Sequence, residues 1–408
     1  MRNSLIPAAL VLSCATATAL ADVQITDKTS VGGVVFADAS HIDLKNDDKT
    51  GKEVDTPPTG TGLDVKRFYL IVNHTFNDVW SANLTTDAQY SSATTTTVTT
   101  PTGTTTAVTG QNTSGGVTEV FIKKAYLQYK PQQEFGLRVG AADTPWVPWL
   151  ENSLYGYRWV EKVTIDRLGF GTSADWGLNA FGSFGDHELA GYSVSVLNGG
   201  GYKNPTRTKD VDLEGRVHVK PIEWLTLGAG FYSGHLGQVT ASNDTFPTNT
   251  ATRFDGVVGV DVAGLRVGVE YFNAKNYKTV NNLAASAFGT SSIVTSTGTT
   301  PVSDKADGYS AWASYQFTPD WSVFARYDEA KLSKDVAANL KDHYANVGIA
   351  YKPLSALDVA LVYKYEKVEN GSTSVSGGNA NGSYTIGGAT GAGQGKFDEI
   401  GVYLRWGF

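Results

Sequence analysis

The sequence predicts a single antiparallel β-barrel of sixteen strands that spans a membrane. Three observations carry that prediction. Apolar and polar residues alternate with period two in runs of about ten. Short and long connections alternate along the chain, and aromatic residues gather beside the short ones. Period two puts apolar side chains on one face of a strand and polar side chains on the other. Composition agrees: of 408 residues, 41% are hydrophobic and 11% aromatic, but only 18% are charged. That balance excludes a disordered chain, and a net charge of −7 excludes the basic surplus of a nucleic-acid binder. Beyond the N-terminus, no apolar run approaches the ~18 residues of a membrane helix.

Taken in order, residues 1–21 read as a secretory signal peptide. Arg2 gives a positive start, an apolar stretch runs from Leu5 to Leu20, and Ala19-Leu20-Ala21 supplies a small-x-small cleavage site. Cys14, the only cysteine, falls inside that stretch, in a Val11-Leu12-Ser13-Cys14 context that is only weakly lipoprotein-like. Removing this segment leaves 408 − 21 = 387 residues, 22–408, with a charge of −7 − 1 = −8 and no thiol for disulfides or catalysis.

Strand-like runs then begin near Val31, Leu63, Val79, Val120, Phe135, Trp176, Leu189, Val211, Trp224, Phe254, Leu265, Gly308, Trp321, His343 and Asp358. The last run sets Ile400, Val402, Leu404, Trp406 and Phe408 against Glu399, Gly401, Tyr403, Arg405 and Gly407. Short turns are expected at Asn77-Asp78, Pro131–Glu134, Gly185–His187, Pro221–Glu223, Ala263-Gly264, Pro319-Asp320 and Pro353–Ala356, where Pro, Gly, Asn and Asp supply turn geometry. Longer polar segments are expected at 42–62, 91–117, 144–174, 200–209, 237–250, 277–306, 333–341 and 370–395. Seven turns and eight loops join sixteen strands, the pattern of an outer-membrane barrel with short periplasmic turns and long extracellular loops. Phe76, Trp80, Tyr129, Phe135, Trp224, Phe317, Trp321 and Tyr351 flank the turns, as an interfacial aromatic girdle requires. A soluble sandwich need not alternate its connections, and a solenoid needs a short repeat that is absent here.

On these residues the chain resembles Gram-negative porins, and is most similar to the phosphate-selective porin O and P family. The resembling stretches are Val65-Lys66-Arg67-Phe68-Tyr69-Leu70, Phe121–Tyr129, Phe135–Gly140 with Thr144-Pro145, and Leu197-Asn198-Gly199-Gly200. The terminal Phe408 is similar to the signal by which assembly machinery recognises outer-membrane strands. The resemblance implies a trimeric, sixteen-stranded outer-membrane porin for passive diffusion of small hydrophilic solutes or ions, including anions such as phosphate. Expected partners are outer-membrane lipid, lipopolysaccharide and two further copies of the chain. No cofactor or nucleic acid is expected.

Sixteen strands leave a water-filled lumen, and the segment 144–174 is the candidate constriction loop. It is long, aromatic and charged, carrying Trp146, Trp149, Tyr155, Tyr157, Trp159, Arg158, Glu161, Lys162, Asp166 and Arg167, and long ordered loops usually carry function. Parity adds Lys124, Arg138, Arg216, Arg266, Arg326, Lys364 and Arg405 to the lumen face. The acids there are Asp87, Asp212, Glu214, Asp255, Asp261, Glu270, Asp328, Glu366 and Glu399. Both signs are present, so parity alone leaves ion preference open. The alternative reading of these residues is a solvated wall of cross-strand pairs.

Other features are plainer. Thr94–Thr109 reads as a low-complexity surface loop, and Gly387–Gly395 lacks the Lys and strand-to-helix context of a phosphate cradle. Asp43, Asp47, Asp48 and Glu53 read as a solvated acidic loop or a weak divalent site. The six histidines, His41, His74, His187, His218, His235 and His343, are scattered, without HExxH or GxSxG spacing. The expectation is therefore a channel and not an enzyme; the alternatives are a surface receptor or adhesin and, behind it, a barrel hydrolase.

Overall fold

The computed structural model describes residues 23–91, 98–99, 105–106, 117–205, 207–239, 249–277, 303–379, 382–388 and 393–408. The segment read as a signal peptide, with Cys14, and most of Thr94–Thr109 lie outside the described residues. Strands β1 (Thr29–Asp47), β2 (Gly60–Thr75), β3 (Trp80–Ser91), β4 (Val117–Gln132) and β5 (Phe135–Asp143) come before the loop 144–173. Strands β6 (Ala174–Phe184), β7 (Ala190–Leu197), β8 (Asp212–Ile222), β9 (Leu225–Gly234) and β10 (Ala251–Val262) follow it. The circuit is completed by β11 (Leu265–Lys275), β12 (Lys305–Gln316), β13 (Trp321–Lys331), β14 (Lys341–Leu354), β15 (Leu357–Glu369) and β16 (Gln394–Gly407). Every strand pairs antiparallel with its sequence neighbours, and β16 pairs with β1 from Val34↔Gly407 to Asn46↔Gly395. The sheet is closed, as a lipid-embedded sheet must be.

The alternation resolves into an inverted protein. Leu178, Val194, Val217, Val258, Val269, Val323, Val347, Leu361 and Ile400 are exposed on the outside, while Asp87, Asp255, Glu270, Arg326, Lys364 and Glu399 are buried inside. Turn residues behave as their chemistry demands. The Asn77 side-chain oxygen accepts from the Val79 and Trp80 amides at 3.1 and 3.0 Å. Ala263 and Gly264 take φ of 51° and 82° in a two-residue hairpin between Val262 and Leu265. Beside the turns, Trp80 meets Tyr129 at 4.8 Å and Trp321 stacks on Tyr351 at 4.6 Å. At the other end, Tyr271, Tyr309, Tyr327 and Tyr363 form a second exposed aromatic row.

Three irregularities position the site. Opposite Phe36 and Ala37, β2 carries one extra residue, Lys66; opposite Thr85 and Thr86, β4 carries one extra residue, Lys123. Both are β-bulges, which re-aim side chains. Strands β2 and β3 pair only from Ile71–Thr75 to Ser81–Thr85, so they part on the long-loop side. Finally, the long connection expected at 370–395 lies between Glu369 and Gln394 and carries strands of its own. Ser372–Asn379 and Gly382–Gly387 pair as a hairpin, with Val375 and Ile386 buried. Asn46 donates to the Thr385 carbonyl and accepts from the Gly387 amide, both at 2.9 Å. Apolar packing against the loop core draws this hairpin inward.

Candidate pore constriction

The loop 144–173 folds into the lumen because its apolar residues have nowhere else to be buried. Trp146, Val147, Leu150, Leu154, Val163, Ile165, Leu168 and Phe170 are all buried, against Tyr232, Phe272, Tyr277 and Trp312 of the inner wall and its adjoining loop. Each full burial contributes about 1.5–3 kcal/mol. Trp159 and Val160 pack instead on Val34, Phe36, Phe324 and Tyr403, so the loop crosses from the β9–β12 wall to the β16–β1 wall. Local geometry permits the path. Thr144 donates to the Thr172 carbonyl at 2.5 Å to close the base, and Gly156 ends the helical stretch Leu150–Tyr155 with φ 81°.

Charged wall residues complete the attachment. Arg216 donates to the Pro145 carbonyl at 2.8 Å, Arg253 to the Phe170 carbonyl at 2.6 Å and Arg326 to the Lys162 carbonyl at 2.5 Å. Glu270 accepts from Trp146 Nε1 at 2.8 Å, and Trp312 donates to the Leu154 carbonyl at 3.3 Å. Arg167 reaches Glu366 at 2.5 Å, Asp342 at 2.6 Å and Asp328 at 3.4 Å. Lys364 bridges Glu161 at 3.1 Å and Glu399 at 3.3 Å. Burial alone would raise the Glu161 carboxyl; Lys364, followed by Lys66, holds it down at about 2.

The opposite face of the loop looks across the remaining gap. It carries Arg158 paired with Glu151 at 2.9 Å and Lys162 with Asp166 at 3.6 Å. Facing it are Arg67, bound to Asp87 at 3.0 Å, and Lys123, which donates to the Tyr69 hydroxyl at 3.1 Å. Lys203 joins them from the segment 198–205. These groups sense one another across the gap: Lys162 feels Arg67, and Asp166 feels Arg67 and Lys123. Burial pushes the Lys162 ammonium down to about 8, with Arg67 and Arg158 pushing the same way against the pull of Asp166. Five cations (Arg67, Lys123, Arg158, Lys162, Lys203) therefore meet three carboxylates (Asp87, Glu151, Asp166), an excess of two positive charges. By register, Asp64 and Glu119 lie on the same inner faces nearer the long loops.

The residues singled out from sequence divide into three groups. Arg158 and Lys162 face the gap. Arg167, Arg216, Arg326 and Glu161 lie between loop and wall, with Asp255, Glu270, Asp328, Glu366 and Glu399; they fix the loop. The third group lines the wall in pairs. Lys124 binds Asp143 at 2.7 Å, Arg266 binds Asp261 at 2.9 Å and Arg405 binds Asp358 at 2.5 Å. Arg138 donates to Gln128 at 2.9 Å and lies over the Phe181 ring at 4.1 Å. Asp212 accepts from the Tyr232 hydroxyl at 2.5 Å, and Glu214 accepts from Arg253 at 3.1 Å. Asp43, Asp47, Asp48 and Glu53 each have a partner, in Lys45, Gln394, Thr50 and Lys396, so the divalent-site reading has no support from their geometry.

Sequence parity missed Lys66, Arg67, Lys123 and Lys203. Strict alternation allows one inward residue of each adjacent pair, and the bulges break that rule at Lys66-Arg67 and Lys123-Lys124. Two consecutive basic residues inside an otherwise alternating strand were the available signal.

No protein-family model matches the chain, and neither does any curated protein. Among solved structures, the chain is similar to outer-membrane expressed OmpT of Vibrio cholerae, with 13% identity, a TM-score of 0.56, and 95% of this chain and 100% of that one covered. It is also similar to an anion-selective porin from Comamonas acidovorans, at 11% identity and a TM-score of 0.56 over 93% and 99% of the two chains. The outer membrane channel DcaP of Acinetobacter baumannii aligns at 13% identity and a TM-score of 0.54, over 93% and 97%. The fold of this chain is the sixteen-stranded barrel of outer-membrane porins.

Proposed function

We propose that the chain is an outer-membrane porin that passes small hydrophilic solutes passively and prefers anions, without catalysis. One observation carries the reading: the loop 144–173 is fastened along one side of the lumen, and the gap it leaves has two more cations than carboxylates. In a narrow, partly low-dielectric passage, fixed charge strongly biases which ion enters. Phosphate, the solute implied by the sequence resemblance, is one of the anions such a gap admits. The purified protein is expected to conduct in planar bilayers, and a potassium chloride gradient should give a reversal potential of the sign for chloride preference. Absence of conductance rejects the channel; a reversal potential for potassium preference rejects the anion reading.

The parted strands β2 and β3 support self-association, with a trimer as the expected form. Above Thr85 no ladder joins them among the described residues, and the outer face of β2 carries Leu63 and Val65, which are 75% and 51% exposed. Backbone groups left unpaired against lipid cost several kcal/mol each, so a neighbouring protein surface suits this stretch better than lipid does.

A further inference from the structure

The lysines of the constriction sit among rings. The Lys123 ammonium lies 4.6 Å from the centre of the Tyr69 ring and 5.7 Å from that of Tyr202. The Lys203 ammonium lies 4.8 Å from the Phe121 ring and 5.9 Å from Tyr202, and Phe121 and Tyr202 stack at 5.9 Å. Three rings and two ammonium groups thus form one continuous track. The segment 198–205 delivers Tyr202 to it: the Tyr202 amide donates to the Ala174 carbonyl at 3.0 Å, and its carbonyl accepts from Trp176 Nε1 at 3.1 Å.

Ring faces attract an ammonium and displace its water, but they give an arriving anion no hydrogen bonds. Phosphate has several strongly hydrated acceptor oxygens, and stripping their water without replacing those bonds is costly. A weakly hydrated monoanion loses little on entering, and a flat apolar body gains contact with the ring faces. We infer that this ring-clad lysine track makes the channel favour weakly hydrated monoanions, foremost carboxylates on a flat apolar body, over phosphate. The inference rests on the anion-channel reading above, and names its solute class.

Bi-ionic reversal potentials across planar bilayers at pH 7 test it, with chloride on one side and thiocyanate, benzoate or phosphate on the other. Benzoate is expected to be more permeant than phosphate by roughly fivefold or more, the scale of a single aromatic contact, and thiocyanate is expected to exceed phosphate because it sheds its water more readily. Tyr202→Leu and Phe121→Leu should each pull that ratio towards one while chloride conductance persists. Equal permeability of the three anions in the unmodified channel overturns the inference and leaves the anion channel standing. Ratios unchanged in both conducting leucine variants overturn it as well. Potassium preference in the unmodified channel removes the reading beneath it, and the inference with it.

Discussion

Which side of the loop a charge lies on decides what it can do. Arg167, 1% exposed, commits both terminal nitrogens of its guanidinium to three wall carboxylates, whereas Lys162, four residues before Asp166, looks into the gap beside Arg67 and Arg158. With its ammonium pushed down to about 8, Lys162 is charged at neutral pH and loses that charge as pH rises through that value. Anion preference should therefore fall between pH 7 and 9. Reversal potentials measured across that window check it, and Lys162→Gln should flatten the dependence. A profile unchanged by that substitution would assign the titration elsewhere.

Among the elements, the two bulged strands and the loop carry separate functions. The bulge at Lys123 can be removed by deleting one residue: Lys124 then follows Ile122 in strict alternation and keeps its place opposite Thr85. The deletion variant is expected to form a folded barrel, still heat-modifiable on gels, with reduced chloride preference; an unfolded product would mean that the extra residue is structural. The loop depends on its buried ion cluster. Arg167→Ala leaves Asp342 and Glu366 buried without their cation, a loss of about 3–5 kcal/mol. Larger and noisier single-channel currents should follow as the loop works free. Quiet currents of unchanged size would show that apolar burial alone holds it.

These elements were unequally legible. The final strand, with Ile400 and Val402 outside and Glu399 and Tyr403 inside, reads directly from alternation because parity is a local property. Attachment is not local: Glu366 and Arg167 are far apart in sequence, and only the closed barrel brings them together. The aromatic content of 144–174 announced that it would pack. Ser372–Gly387 is far less marked: its inward course follows from Val375, Ile386 and Tyr384, which stacks on Phe397 at 4.9 Å, among small and polar residues. Lys123 escaped because a bulge defeats the parity rule used to find pore residues, and so did Lys66, which is held on the buried Asp38 at 2.6 Å.

For the whole molecule, the parted strands β2 and β3 carry a testable consequence. Cross-linking in mild detergent is expected to trap trimers, and replacing both Leu63 and Val65 with Lys should yield monomers that remain barrels. A monomeric unmodified protein would count against the seam as an interface. A different consequence follows from the pairing of Val34 with Gly407. The two segments that zip this junction are the first and last strands of the barrel, so all the strands between them form a single large loop that must be held until they meet. Bringing such distant stretches together carries a heavy chain-entropy cost. Completion of the wall is then a late and slow event, and the interior ion cluster must already be in place, or arrive with it, when the last gap shuts.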